Sequence, residues 1–214
     1  MLFVSHLFEI KNIQISGVST YVNRPDIESV AAGIARSKNI FLLKKSDLRD
    51  QLHKSFLAAQ DISCQKKLPD TLIVTVTERR PVARVKGANS EDYFLMDGEG
   101  YVLGIADETF IEFPVVHYGE DVMAGTFLNA EIIPLSHQII NGAIEHELQI
   151  SSMSFTLREV QVHLEGGTTV FINTQKEVHD CMDAISSLLK NADLEGKAIS
   201  KIDLRYDKVV VSYE

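Results

Sequence analysis

The side chains of this sequence that could do chemistry are its histidines, its two cysteines and one acidic, glycine-rich cluster. The seven histidines are scattered. Glu145-His146-Glu147 has no second histidine one helical turn further on, the spacing a zinc helix needs. Each histidine is therefore read as a structural or surface residue. Cys64 and Cys181 lie far apart and form no Cys-x-x-Cys pair, so a metal site built on them is not expected. Cys181 shares helical spacing with Val178, Met182 and Ile185 and is read as a core thiol. Asp97-Gly98-Glu99-Gly100 resembles the start of a calcium loop but lacks the later carboxylates and the closing glutamate, so it is read as a hairpin turn. No phosphate loop and no Gly-x-Ser-x-Gly elbow is present. No metal or cofactor is expected, and the chain is read as non-catalytic.

The totals narrow the partners. In 214 residues, 30 acidic side chains face 21 basic ones, for a net charge of −9. A nucleic-acid backbone needs clustered positive charge, so a nucleic-acid partner is not expected. Apolar residues make up 45% and charged residues 24%, the balance of a folded globular chain. No apolar run approaches the ~18 residues of a membrane span. The opening Met1-Leu2-Phe3-Val4-Ser5-His6-Leu7-Phe8 is apolar but short, with no basic residue before it and no small-residue cleavage site. It reads either as the start of a first strand or as the tail of a membrane helix.

The elements follow from periodicity. Phe8 to Ile15 alternates like a strand, ended by Gly17. Asn23 fits an N-cap, Pro25 a first turn, and Ile27, Val30, Ala31 and Ile34 continue at helical spacing. Ser46 is expected to cap a second helix carrying Leu48, Leu52 and Phe56 on one face. Ile62–Leu68 and Thr71–Glu78 read as strands joined at Pro69-Asp70, hence antiparallel. The order β-α-α-β-β predicts helices on one face of a small sheet. Arg79-Arg80-Pro81 marks a join with no Gly/Ser linker, so Glu78, Arg79 and Arg80 are expected to brace it.

The second half opens on strands. Val82–Lys86 comes first, then Tyr93–Met96 and Tyr101–Gly104 flanking the Asp-Gly turn. Pro114 makes Phe113-Pro114-Val115-Val116 an expected edge piece. A helix is expected from His137 to about Gln149, with Ile140, Ile144 and Leu148 on one side. Val160, Val162 and Leu164 alternate, Gly166-Gly167 turns, and Val170 and Ile172 alternate again. Lys176–Ala192 is the strongest helix, and strands Lys201–Tyr206 and Val209–Tyr213 finish the chain. The class is α+β: a small β-α-α-β-β domain over 8–78, then a larger, mostly antiparallel β domain with helices over 79–214.

Three segments resemble the FtsQ/DivIB family of bacterial cell-division proteins. Phe8-Glu9-Ile10 through Ser16-Gly17-Val18, with the β-α-α-β-β order, resembles a POTRA domain. Lys67-Leu68-Pro69-Asp70-Thr71-Leu72, continued by Val74, Val76, Glu78-Arg79 and Pro81-Val82-Ala83, is similar to the family's Leu-Pro turn and Glu-Arg-x-Pro-Val-Ala join. Ile202-Asp203-Leu204-Arg205-Tyr206 is similar to its final Asp-Leu-Arg-Tyr strand. Between them lie Met96-Asp97-Gly98-Glu99-Gly100-Tyr101-Val102, like the family's Asp-x-x-Gly hairpin, and Phe113-Pro114.

The resemblance implies a single-pass inner-membrane protein at the division septum. Its membrane helix would lie N-terminal to this chain and this region on the extracytoplasmic side. It implies partners of the FtsB and FtsL type, bound by strand addition to an exposed edge. The expected partner-binding residues are Tyr206, Lys208, Val209, Val210, Val211 and Tyr213, with Tyr206 the aromatic anchor. The alternative is that Tyr206 packs on its own domain and Val209–Val211 is an ordinary buried strand. Asp203 and Arg205, two apart on one strand face, are expected to pair locally. Two competing functions remain: a POTRA-bearing export or outer-membrane assembly component, and an enzyme with a dispersed site.

Overall fold

The computed structural model describes residues 6–18, 20–129 and 132–213. The opening segment's first five residues therefore lie outside the described residues. By contact the chain divides into two units, Met1–Arg80 and Pro81–Glu214.

The first unit holds β1 (Asn12–Ser16), α1 (Arg24–Ala35), α2 (Lys45–Ser55), β2 (Ala59–Lys67) and β3 (Thr71–Glu78). The sheet order is β1-β3-β2, with β1 parallel to β3 and β2 antiparallel to it. A parallel pair needs a crossover, which α1 and α2 supply. Ile27 and Ala31 of α1 and Leu48 and Leu52 of α2 are fully buried, in one core with Leu72 and Val74 of β3. Burying each such leucine or isoleucine contributes about 1.5–3 kcal/mol. Two local expectations fail. Residues 6–8 form a 3₁₀ turn, and β1 begins only at Asn12. Ser46 lies inside α2, whose N-cap position is Lys44, and the Ser46 hydroxyl donates to Asp47 instead.

Gly17 has φ +81°, and a Cβ there would stand 2.0 Å from the Val76 carbonyl oxygen. Only glycine lets the chain leaving β1 cross so close to β3. The Glu78 carboxylate then receives that loop, accepting the backbone N–H groups of Thr20, Tyr21 and Val22 at 3.1–3.2 Å. These three Glu78 bonds lie within the first unit.

The second unit holds β4 (Pro81–Lys86), β5 (Tyr93–Asp97), β6 (Val102–Ile105), β7 (Val115–His117), α3 (Ile133–Glu145), β8 (Ile150–Phe155), β9 (Glu159–Leu164), β10 (Thr169–Asn173), α4 (Val178–Leu194), β11 (Ile199–Leu204) and β12 (Val210–Tyr213). They form one nine-stranded sheet, ordered β12-β11-β10-β9-β8-β7-β4-β5-β6. Five pairs are antiparallel; β4–β7, β7–β8 and β10–β11 are parallel. The core joins Val160, Val162, Val170, Ile172 and Ile202 of the strands to Ile139, Ile140, Cys181, Met182 and Ile185 of the helices. Alternation therefore turns Gln161, Phe171 and Asp203, which are cross-strand neighbours, to the opposite face.

Several expectations shift here. Val115–His117 is central, between β4 and β8, rather than an edge; Pro114 precedes the ladder and so needs no donor within it. The helix begins at Ile133 and ends at Glu145, and Ile144 is left 69% exposed. The strand Ile150–Phe155 had no expected counterpart, because its serines break the apolar alternation. Asp97, the last residue of β5, holds the expected turn: its Oδ1 accepts the N–H groups of Glu99 and Tyr101 at 2.9 and 2.8 Å.

Candidate partner-binding edge

A nine-stranded sheet has two edges, and the two differ. Along β6, Val102 N–H donates to Thr126 O at 2.9 Å and Gly125 N–H donates to Val102 O at 2.8 Å. Leu128 N–H closes onto Gly100 O just before the strand, and Tyr101 bridges Phe127. Residues 125–128 thus take up the main chain at the start of that edge. At the other edge, β12 pairs with β11 alone among the described residues.

The register fixes what β12 presents. Val210 lies opposite Asp203, Val211 opposite Ile202, Ser212 opposite Lys201 and Tyr213 opposite Ile199. Ile202 is fully buried, so Val211, its neighbour, packs against the core. Val210 is 55% and Tyr213 51% exposed. Of the six residues expected to bind a partner, Tyr206, Lys208, Val209, Val210 and Tyr213 are exposed, and Val211 is the one half-buried. Tyr206 is not in a strand: β11 ends at Leu204, and Tyr206 stands in the turn, 63% exposed. The alternative in which Tyr206 is packed into its own domain is not what the structure has.

That turn is held from below. Arg205 donates through Nε to Asp203 Oδ1 at 2.8 Å, through Nη2 to Asp203 Oδ2 at 2.5 Å, and through Nη1 to Glu159 Oε2 at 2.8 Å. Its guanidinium sits 4.9 Å from the Phe171 ring centroid and 5.7 Å from that of Tyr206. Lys201 Nζ approaches Asp203 Oδ2 at 3.4 Å and sits 4.7 Å from the Phe171 ring centroid. The Arg205 hydrogen bonds hold the Asp203 carboxyl down to about 2, against the desolvation that would raise it. Arg205 itself is raised further above its ordinary value by the same two carboxylates. Lys176 Nζ donates to the Tyr206 carbonyl. The expected Asp203–Arg205 pairing is present. Glu159, Phe171 and Lys176 complete it from other elements, and only strand parity in the sequence hints at the first two.

The cavities carry no comparable convergence. The one of about 600 Å³ between α3 and the segment 112–114 is lined by Ile140, Ile144, Leu148, Phe113, Glu112 and Glu165, and its described lining holds no Ser, Thr, Cys, Lys or His to act as nucleophile or base. Cys64 and Cys181 are free and buried, and burial raises both thiols above their ordinary value.

Residues 8–79 match the family described as POTRA domain, FtsQ-type. Over longer spans the chain is similar to proteins named Cell division protein FtsQ. The one from Neisseria gonorrhoeae is 24% identical over 209 residues, covering 94% of this chain and 78% of the relative. That from Escherichia coli is 20% identical over 210 residues, covering 92% and 70%. That from Corynebacterium glutamicum is 19% identical over 189 residues, covering 86% and 80%.

Proposed function

Because this chain belongs to the FtsQ family of cell-division proteins, we propose that it is a non-catalytic scaffold of the divisome that binds FtsB- and FtsL-like partners along β12. The reading assigns residues 8–78 to a POTRA-like domain and 79–214 to the partner-binding β domain. It places both on the extracytoplasmic side of the inner membrane at the septum, behind a single N-terminal membrane helix outside this sequence.

The observation that carries the reading is the contrast between the two sheet edges: one engaged by residues 125–128, the other a β-branched strand with β11 as its sole neighbour among the described residues. A foreign strand laid beside β12 gains main-chain hydrogen bonds, each worth about 0.5–1.5 kcal/mol net. Four residues of edge supply only a few of these, so side-chain anchors must add the rest. Tyr206 at the turn and Tyr213 at the end bracket the strand and suit that role. The Asp203–Arg205–Glu159 network supports it by fixing the turn that carries Tyr206 before any partner arrives, which lowers the ordering cost of binding.

The test is capture of division partners by the intact chain and by a chain lacking residues 207–214. The intact chain should recover FtsB- and FtsL-like proteins and the shortened one should not. Equal recovery by both would show that binding does not use this edge.

A further inference from the structure

One end of the first unit has a composition unlike the rest of the chain. The starts of β1 and β3 and the end of β2 meet there, because β1 is parallel and β2 antiparallel to β3. The chain leaving α1 returns to the same end: Ser37 N–H donates to Ile10 O, and Ile10 N–H to Lys38 O. Glu9 bridges Asn39, Ile40 N–H donates to Phe8 O at 2.8 Å, and the Phe8 and Phe41 rings meet edge-on at 5.1 Å. The β2–β3 turn joins through Asp70 O, which accepts the N–H groups of Lys11 and Asn12. Lys66 Nζ, near the end of β2, donates to Phe41 O at 3.3 Å.

Four large apolar side chains stand in solvent at this end: Leu42 is 71%, Leu7 58%, Leu68 56% and Phe41 43% exposed. The cations of the same segments are Lys11, Arg36, Lys38, Lys44, Lys45, Lys66 and Lys67, seven of the twelve Lys and Arg in the unit. The acids there are fewer, Glu9, Asp47 and Asp70, so the cations outnumber them seven to three. Crowding is felt at Lys66, whose amine is lowered by burial and then by the charge of Lys45. The asymmetry extends to the whole chain. Residues 1–80 carry twelve basic against eight acidic side chains, whereas residues 81–214 carry nine against twenty-two.

We propose that this end of the first unit docks on the surface of an anionic phospholipid bilayer. Exposed apolar tips within a fringe of long, flexible lysines match a fluid anionic plane, where the amines reach headgroups and the tips enter the interfacial layer. An acidic protein partner would instead call for directional, bidentate pairing, and six of the seven cations are lysines. The −13 balance of the second unit is repelled by the same plane, so the first unit is the one that docks. The proposal is independent of the β12 reading.

The test uses the whole chain and sedimentation with vesicles of phosphatidylcholine alone or mixed with phosphatidylglycerol. The chain has no tryptophan, so Leu42→Trp adds a single fluorescent probe. The expected result is binding to the anionic vesicles only, a blue shift of that probe, and loss of binding in high salt. Each lysine near such a surface is worth about a factor of five, so Lys44→Glu with Lys45→Glu should lower partitioning by more than about tenfold. Leu42→Glu with Leu68→Glu, both at exposed positions, should also lower it, with unchanged circular dichroism and unchanged capture through β12. Three results would overturn the proposal: no binding to anionic vesicles, equal binding to both vesicle types, or concentration-dependent self-association that Leu42→Glu abolishes in place of vesicle binding.

Discussion

Arg205 Nη1 lies 2.8 Å from Glu159 Oε2, a contact made across 46 residues of chain. It ties the turn after β11 to the start of β9, while the same guanidinium grips Asp203 on its own strand. The turn that carries Tyr206 is therefore held by side chains from three separate strands, Phe171 of β10 included.

This arrangement gives the chain a predictable acid response. The folded Asp203 carboxyl is held at about 2, below its ordinary 3.8, so on acidification the unfolded chain takes up that proton first. The stabilisation is fully present above the ordinary value and is lost as pH falls from there through about 2. Arg205→Gln removes the main cause of the depression. The Asp203 carboxyl should then titrate nearer its ordinary range, seen by carboxyl-carbon NMR, and the acid-unfolding midpoint should move to higher pH.

Tyr206 is 63% exposed and its backbone, not its ring, receives Lys176. Tyr206→Glu should leave circular dichroism and thermal melting unchanged while abolishing capture of division partners. Retained capture by a folded Tyr206→Glu chain would remove this residue from the interface.

The loop from Gly17 to Val22 should be a sensitive point of the first unit. Glu78→Ala strands three N–H groups and should cost about 2 kcal/mol in urea unfolding. Gly17→Ala meets the Val76 carbonyl and a positive φ together and should cost more than about 2 kcal/mol. Neither substitution should alter the β12 edge, so partner capture below the melting temperature should persist.

Cys64 and Cys181 are buried, and desolvation keeps both thiols protonated above the ordinary range. Both should react slowly with a disulfide reagent in the native chain and rapidly in denaturant. Fast native labelling at either position would show that its burial is not maintained in solution.

Much of this molecule was written in local pattern. Strict alternation in Thr71–Glu78 and Val160–Leu164, helical spacing in Arg24–Ala35 and Val178–Leu194, and the Asp97 turn follow from one side of each element facing a core. The α+β class and the family resemblance rest on those same residues. Where the pattern is blurred, the sequence was silent or misleading. The strand Ile150–Phe155 is rich in serine because only one of its faces meets the core, and Pro114 stands just outside a central strand rather than at an edge.

Tertiary structure alone decided the rest. A β-branched run near a chain end fits a buried strand or an edge equally well, since periodicity records which face is apolar and not how many neighbours a strand has. Strand order answered that for β12, and it also brought Glu159 and Phe171 beneath Arg205. Side-chain pattern is a local property of the chain, whereas a sheet edge and a side-chain network drawn from three strands exist only once distant segments have met.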